Sequence, residues 1–168
     1  MHLRHSFAPQ QAANVRTFRQ LLSSTRRGAR LARLLAAGEL RSWQIPDPVT
    51  ERAEQVVAEL ATNAVSHGSV RGRDFRLGLL LDPAAAHLRI EVTDARGEHH
   101  PRLRQDLPCD SESGRGLLLI TALADHWGTE PYPPSGKTVW ATLAVPATAA
   151  GDGAPHATGH SGRRDTAQ

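Results

Sequence analysis

Apolar positions at helical spacing are densest in residues 47–69. Val49, Ala53, Val56, Val57, Leu60 and Ala64 recur at three- and four-residue steps and form one stripe, which predicts a helix over Asp47–Ser69. Asp47 is expected to cap its start, Pro48 suits the first helical position, and Gly68 ends it. Glu59, Asn63 and His67 recur at four-residue steps on a neighbouring face. Polar residues beside a core stripe ordinarily form a solvated face. Asn, however, is a mediocre helix former. A carboxylate and an amide one turn apart can also reach the same small object.

The flanking segments read as two helices and several strands. His2–Phe7 is expected as a short edge strand stopped by Pro9, and Asn14–Leu22 has helical spacing. Ser24–Trp43 predicts a helix with Leu31, Leu34, Leu35 and Leu40 on its apolar side and Arg26, Arg27, Arg30 and Arg33 on a basic one. Phe75, Leu77, Leu79 and Leu81 alternate with Arg76, Gly78 and Leu80, Asp82-Pro83 starts a turn, and Leu88, Ile90 and Val92 alternate inward over His87–Thr93. These are two strands of an antiparallel hairpin with one face on the helices. Asp94 then places a carboxylate at the sheet rim beside a Gly97 turn, and Leu103–Ser113 is a loop carrying Cys109. Leu117, Ile120, Ala124 and Trp127 share a face, so Leu117–Trp127 reads as a buried helix opened by Gly114, Arg115 and Gly116. Glycines at a helix start let backbone N–H groups and the helix dipole meet an anion, typically phosphate. No Gly-Lys-Ser/Thr follows, so the segment is not a P-loop. Tyr132–Gly136 is a Pro-rich turn, and Lys137–Val145 is a last strand with Val139, Ala141, Leu143 and Val145 inward.

Composition narrows the class. At 168 residues, one domain is expected. Aromatics are 4 % of the chain, so its core must be built from Leu, Val, Ile and Ala. The net charge of +3 makes nucleic acid a candidate partner, but the Arg residues are scattered apart from Arg26–Arg33 and no aromatic residues interleave with them, so direct nucleic-acid binding is not expected. A single cysteine permits no internal disulfide and fits a reducing compartment. The apolar runs are too short to span a bilayer, and the N-terminus, with His2, Arg4 and His5, lacks the apolar segment of a signal peptide; a cytoplasmic protein with no membrane partner is expected. From Pro146 onward the composition shifts to Ala, Gly, Thr, His and Asp without periodicity, so residues 147–168 are expected to be a disordered tail in which His156 and His160 are too isolated for a metal site.

Taken together, a helix with Glu59-Leu-Ala-Thr-Asn63-Ala-Val-Ser-His67-Gly68, a strand ending in Asp94 before a Gly turn, a Gly114-Arg-Gly116-Leu117 box opening a helix, and a strand beginning Gly136-Lys-Thr138 resemble the GHKL ATP-binding superfamily. Within it, the chain is most similar to the bacterial anti-sigma-factor serine/threonine kinases. The resemblance implies an α+β fold, a two-layer α/β sandwich of the Bergerat type, with helices on one face of a mixed, largely antiparallel sheet. It implies an N-terminal segment over 1–22 and the ATP-binding domain over 23–146. It also implies ATP and Mg²⁺ as cofactors. In that frame Glu59 matches the general base, Asn63 the Mg²⁺ ligand, Asp94 the carboxylate that accepts the adenine amino group, and Gly97 the turn beside the base. Gly114, Arg115, Gly116 and Leu117 match the phosphate-contacting box, and Thr138 the threonine near adenine. The implied partners are a sigma factor and a small STAS-type anti-sigma-factor antagonist, and homodimerisation is compatible with the resemblance.

Phosphoryl transfer needs positioning and charge neutralisation more than covalent chemistry, and a hard cation prefers oxygen ligands such as an amide. One departure bears on the outcome: where the superfamily has Asp-x-Gly-x-Gly, this chain runs Asp94-Ala-Arg-Gly97-Glu-His99. The expected function is therefore an ATP-dependent protein serine/threonine kinase, with a regulator that binds nucleotide or partner without transferring phosphate as the alternative.

Overall fold

The computed structural model describes residues 14–97 and 112–146. In chain order the elements are β1 (Arg16–Leu22), α1 (Arg26–Ser42), α2 (Asp47–His67), β2 (Phe75–Asp82), β3 (His87–Asp94), α3 (Glu112–Leu123), β4 (His126–Tyr132) and β5 (Gly136–Ala144). The strands form one sheet in the order β1-β2-β3-β5-β4. Every pairing among these strands is antiparallel.

Alternation sets the two faces. Phe75, Leu77, Leu79 and Leu81, then Leu88, Ile90 and Val92, then Val139, Ala141 and Leu143 are all buried on the side that meets the helices. The β2–β3 turn is held by Asp82, whose Oδ1 accepts the N–H groups of Ala84 and Ala85 at 3.0 and 3.1 Å. The α2 stripe of Val49, Ala53, Val56, Val57, Leu60 and Ala64 packs onto this layer. Burial of a side chain such as Phe75 contributes about 1.5–3 kcal/mol. The result is the two-layer α+β sandwich that the sequence implies.

The opposite face of the sheet carries Arg76 over the Tyr132 ring and Arg89 over the Trp140 ring, at 4.8 and 4.5 Å. Burial opposes the charge of Arg89, but hydrogen bonds to Glu91 and Glu130 outweigh it and hold its pKa above the ordinary value.

Several expectations need correction. The helical spacing of Asn14–Leu22 does not yield a helix: Arg16–Leu22 pairs with β2 as an edge strand, so the sheet begins on the N-terminal side of residue 23. Helix α1 buries Ala32, Ala36, Ala37 and Leu40, whereas Leu31 and Leu34 are 44 % and 54 % exposed. Small alanines let α1 approach α2 closely, and the leucines are left outside with the arginines. Pro46, not Asp47, is the N-cap of α2, and no side chain caps it. Helix α3 ends at Leu123, and Trp127 lies on β4, a strand that the sequence did not announce. The segments at 2–7, around Cys109 and from 147 onward lie outside the described residues.

Two contacts fix α3 against α2. Arg52 of α2 donates from Nε to the Leu123 carbonyl at 3.0 Å, satisfying an acceptor at the end of α3. Glu59 meets Gly116 at its other end. Both pairs of positions are seven residues apart (59 minus 52, and 123 minus 116), so the helices run antiparallel over about 10 Å of matched rise.

Candidate functional site

The Glu59–Asn63 part of the polar face of α2 is set against α3. At Gly116 the backbone of α3 approaches so closely that a Cβ there would lie 2.5 Å from Glu59 Oε2 and 3.9 Å from Asn63 Oδ1. Glu59 and Asn63 are half-buried, and His67, the third member of the spacing, is exposed. A carboxylate and an amide oxygen thus meet α3 at Gly116. That helix starts at Glu112, earlier than the glycine spacing suggests. Gly114 lies in the first described turn of α3, and Gly116 contributes the absence of a side chain. Arg115 is exposed, and Leu117 is buried in the core.

The same helix reaches a second group at its end. Gly68 caps α2 with φ −99° and ψ −5°, an ordinary right-handed conformation. Its glycine identity answers a close approach instead, because a Cβ at this position would overlap Asp94 Cγ and Oδ2. Along α2, Gly68 lies roughly 7 Å beyond Asn63 and 13 Å beyond Glu59 by helical rise. One rigid helix therefore spaces the Glu59–Asn63 end from the Asp94 end.

The Asp94 end differs from its expected form. Asp94 is not at an open rim: its side chain is 4 % exposed, as is that of Lys137, and the two form an ion pair at 2.9 Å to Oδ2. Lys137 Nζ also donates to Asp94 Oδ1 at 3.0 Å and to the Arg96 carbonyl at 2.7 Å. The Arg96 N–H closes back onto Asp94 Oδ1 at 2.9 Å. Gly97 sits beside this turn, its N–H bonded to the Ser135 carbonyl at 2.6 Å.

Register explains which residue faces Asp94. Asp94 pairs across the sheet with Lys137, and Thr93 pairs with Thr138. Side chains alternate along a strand, so Lys137 shares a face with Asp94 while Thr138 projects to the other side, its hydroxyl 2.8 Å from that of Thr93. Thr138 is thus not brought to the Asp94 carboxylate, and Lys137 is the residue missed. Its one available signal was that it is the only lysine in the chain.

A cleft of about 190 Å³ lies elsewhere, lined by Leu21, Arg76, Thr93, Tyr132 and Gly136 of the opposite face together with Asp94. It includes none of Glu59, Asn63 and Gly116, so it is not the convergence described above.

The two ends suit a nucleoside triphosphate differently. At the α3 end, the missing side chain of Gly116 lets the Glu59 carboxylate lie against the helix with the Asn63 amide oxygen beside it, two oxygen donors of the kind a hard cation takes. Among the described residues no cluster of three acidic, His or Cys side chains could hold a metal alone. At the Asp94 end the carboxylate is already enclosed.

A family model described as the histidine kinase-like ATPase domain matches residues 9–143. Among solved structures, the chain resembles the RsbU and RsbW domains of Rv1364c from Mycobacterium tuberculosis, with a TM-score of 0.60 and 17 % identity over 77 % of this chain and 32 % of that one. It thus spans about a third of the length of that neighbour. It also resembles the SiaB-SiaC complex from Pseudomonas aeruginosa, with a TM-score of 0.56 and 10 % identity over 75 % of this chain and 88 % of that one. At these identities the likeness shows a shared fold. No curated protein matches the chain. No helix among the described residues is long and apolar enough to cross a membrane.

Proposed function

The chain belongs to the histidine kinase-like ATPase family, and from that premise we propose that it binds ATP with Mg²⁺ and phosphorylates a serine or threonine of a small STAS-type antagonist protein, with a sigma factor as its alternative partner. The observation that carries this reading is the convergence of Glu59 and Asn63 on Gly116 of α3. In it, the α3 start holds the phosphates, Asn63 supplies an amide oxygen to the cation, and the Glu59 carboxylate accepts the proton of the attacking hydroxyl. Mg²⁺ supplies neutralisation of phosphate charge when bound. A binding module has no use for a base, so the retained Glu59 favours an enzyme. Both structural neighbours pair such a fold with a second protein or domain, which supports a protein substrate.

A second reading, a regulator that holds a partner without transferring phosphate, is favoured by the enclosed Asp94. The test is to incubate the protein with Mg-ATP and a panel of purified STAS-type antagonists and to read phosphate incorporation by intact mass. Incorporation on serine or threonine that falls by about 10²–10⁴ in Glu59→Ala, with nucleotide binding retained, is the expected result. Incorporation undiminished in Glu59→Ala would refute the assignment of the base. Mg-ATP binding without incorporation on any antagonist would establish the second reading.

A further inference from the structure

The one lysine of the chain is placed against Asp94, the carboxylate that the family resemblance matches to the adenine amino group. An ammonium group has three N–H donors. All three of those of Lys137 have acceptors within reach, namely Asp94 Oδ1, Asp94 Oδ2 and the Arg96 carbonyl, at 3.0, 2.9 and 2.7 Å. Asp94 Oδ1 additionally accepts the Arg96 N–H, and Gly68 lies against Oδ2. The carboxylate is therefore surrounded on each side by donors or backbone. Both side chains of the pair are almost wholly buried, and a salt bridge out of water is screened far less than a surface one.

We infer that Lys137 is a specificity-determining residue that silences base recognition: it occupies Asp94 so that the amino group of an adenine gains nothing from this carboxylate. The inference rests on the nucleotide reading above and adds that the site holds a nucleotide by its phosphate end and is indifferent to the exocyclic amino group. The turn after β3 takes part, because Arg96 supplies both a donor to Asp94 and an acceptor to Lys137. Removal of the ammonium group leaves Asp94 with unused acceptor capacity, which an adenine amino group can fill.

The probe is a pair of nucleotides, ATP and purine riboside triphosphate, which lacks the amino group. Each is titrated calorimetrically, with Mg²⁺, into the unaltered protein and into Lys137→Met. A second variant, Lys137→Thr, serves if the first does not fold. The unaltered protein is expected to bind the two nucleotides alike, within about twofold, and the variant to prefer ATP by about tenfold, the worth of one hydrogen bond to a charged group. A tenfold preference for ATP in the unaltered protein would overturn the inference, since Asp94 would then read the base with Lys137 in place. Equal binding in the folded variant would also overturn it, because Asp94 would not read the base at all. Binding of neither nucleotide to either protein would remove the nucleotide reading and this inference with it, which separates the two failures.

Discussion

Two glycines of the site are alike in sequence and opposite in consequence. Gly116 stands in a helix, where alanine is favoured by roughly 0.8–1 kcal/mol. The atom that its Cβ would meet is the tip of Glu59, which can turn aside. Gly116→Ala should therefore leave thermal stability equal or higher while lowering phosphate transfer at least about tenfold, equivalent to ~1.4 kcal/mol of barrier. Paired unfolding and transfer measurements check this, and a loss of stability with full transfer would contradict it. Gly68 has a backbone conformation that alanine accepts, but its Cβ would enter the Asp94 side chain, which is buried and clamped by Lys137. Gly68→Ala should cost about 1–3 kcal/mol of stability, as overpacking of a rigid site does, read by urea unfolding. The shared face of Glu59 and Asn63 was legible from their four-residue spacing, and the structure sets that face against Gly116. Lys137 was not, since one polar residue in an alternating strand looks solvated until the register sets it opposite a particular partner. The same register sets Thr138, expected near adenine, against Thr93 on the opposite side of the sheet from Asp94.

At the scale of elements, the pattern of side chains was read well where burial follows periodicity and poorly where it follows size. The α2 stripe and the β2–β3 hairpin declare themselves by period alone. Helix α1 does not, because its large residues Leu31 and Leu34 are outside and the alanines are inside. Leu31→Gln and Leu34→Gln should each change stability by no more than about 0.5 kcal/mol, whereas Ala36→Leu, at a fully buried position, should cost about 1–3 kcal/mol. Denaturant titration of the three variants decides this, and the reverse order would mean that the leucine side of α1 is its packed side. Strand β4 was illegible because it is an edge: it holds Gly128 and Pro131, is largely exposed, and needs only one partner, β5. A proline whose missing N–H faces away from the sheet is tolerated there.

At the scale of the molecule, the sheet serves as a platform on which antiparallel α2 and α3 are set in register by Arg52 at one end and by the Glu59–Gly116 approach at the other. This places the Glu59–Asn63 end and the Asp94 end along a single helix, with the Asp94 carboxylate held by Lys137. Under the function proposed above, nucleotide is held through its phosphates and a metal ion, so affinity should follow Mg²⁺. The most direct test is calorimetric titration of ATP into the protein with and without Mg²⁺, repeated in Asn63→Ala. Binding that appears or strengthens about tenfold with Mg²⁺, and loses that gain in Asn63→Ala, is the predicted result. Absence of binding at millimolar ATP, or Mg²⁺-dependent binding unchanged in Asn63→Ala, would contradict the account of this site.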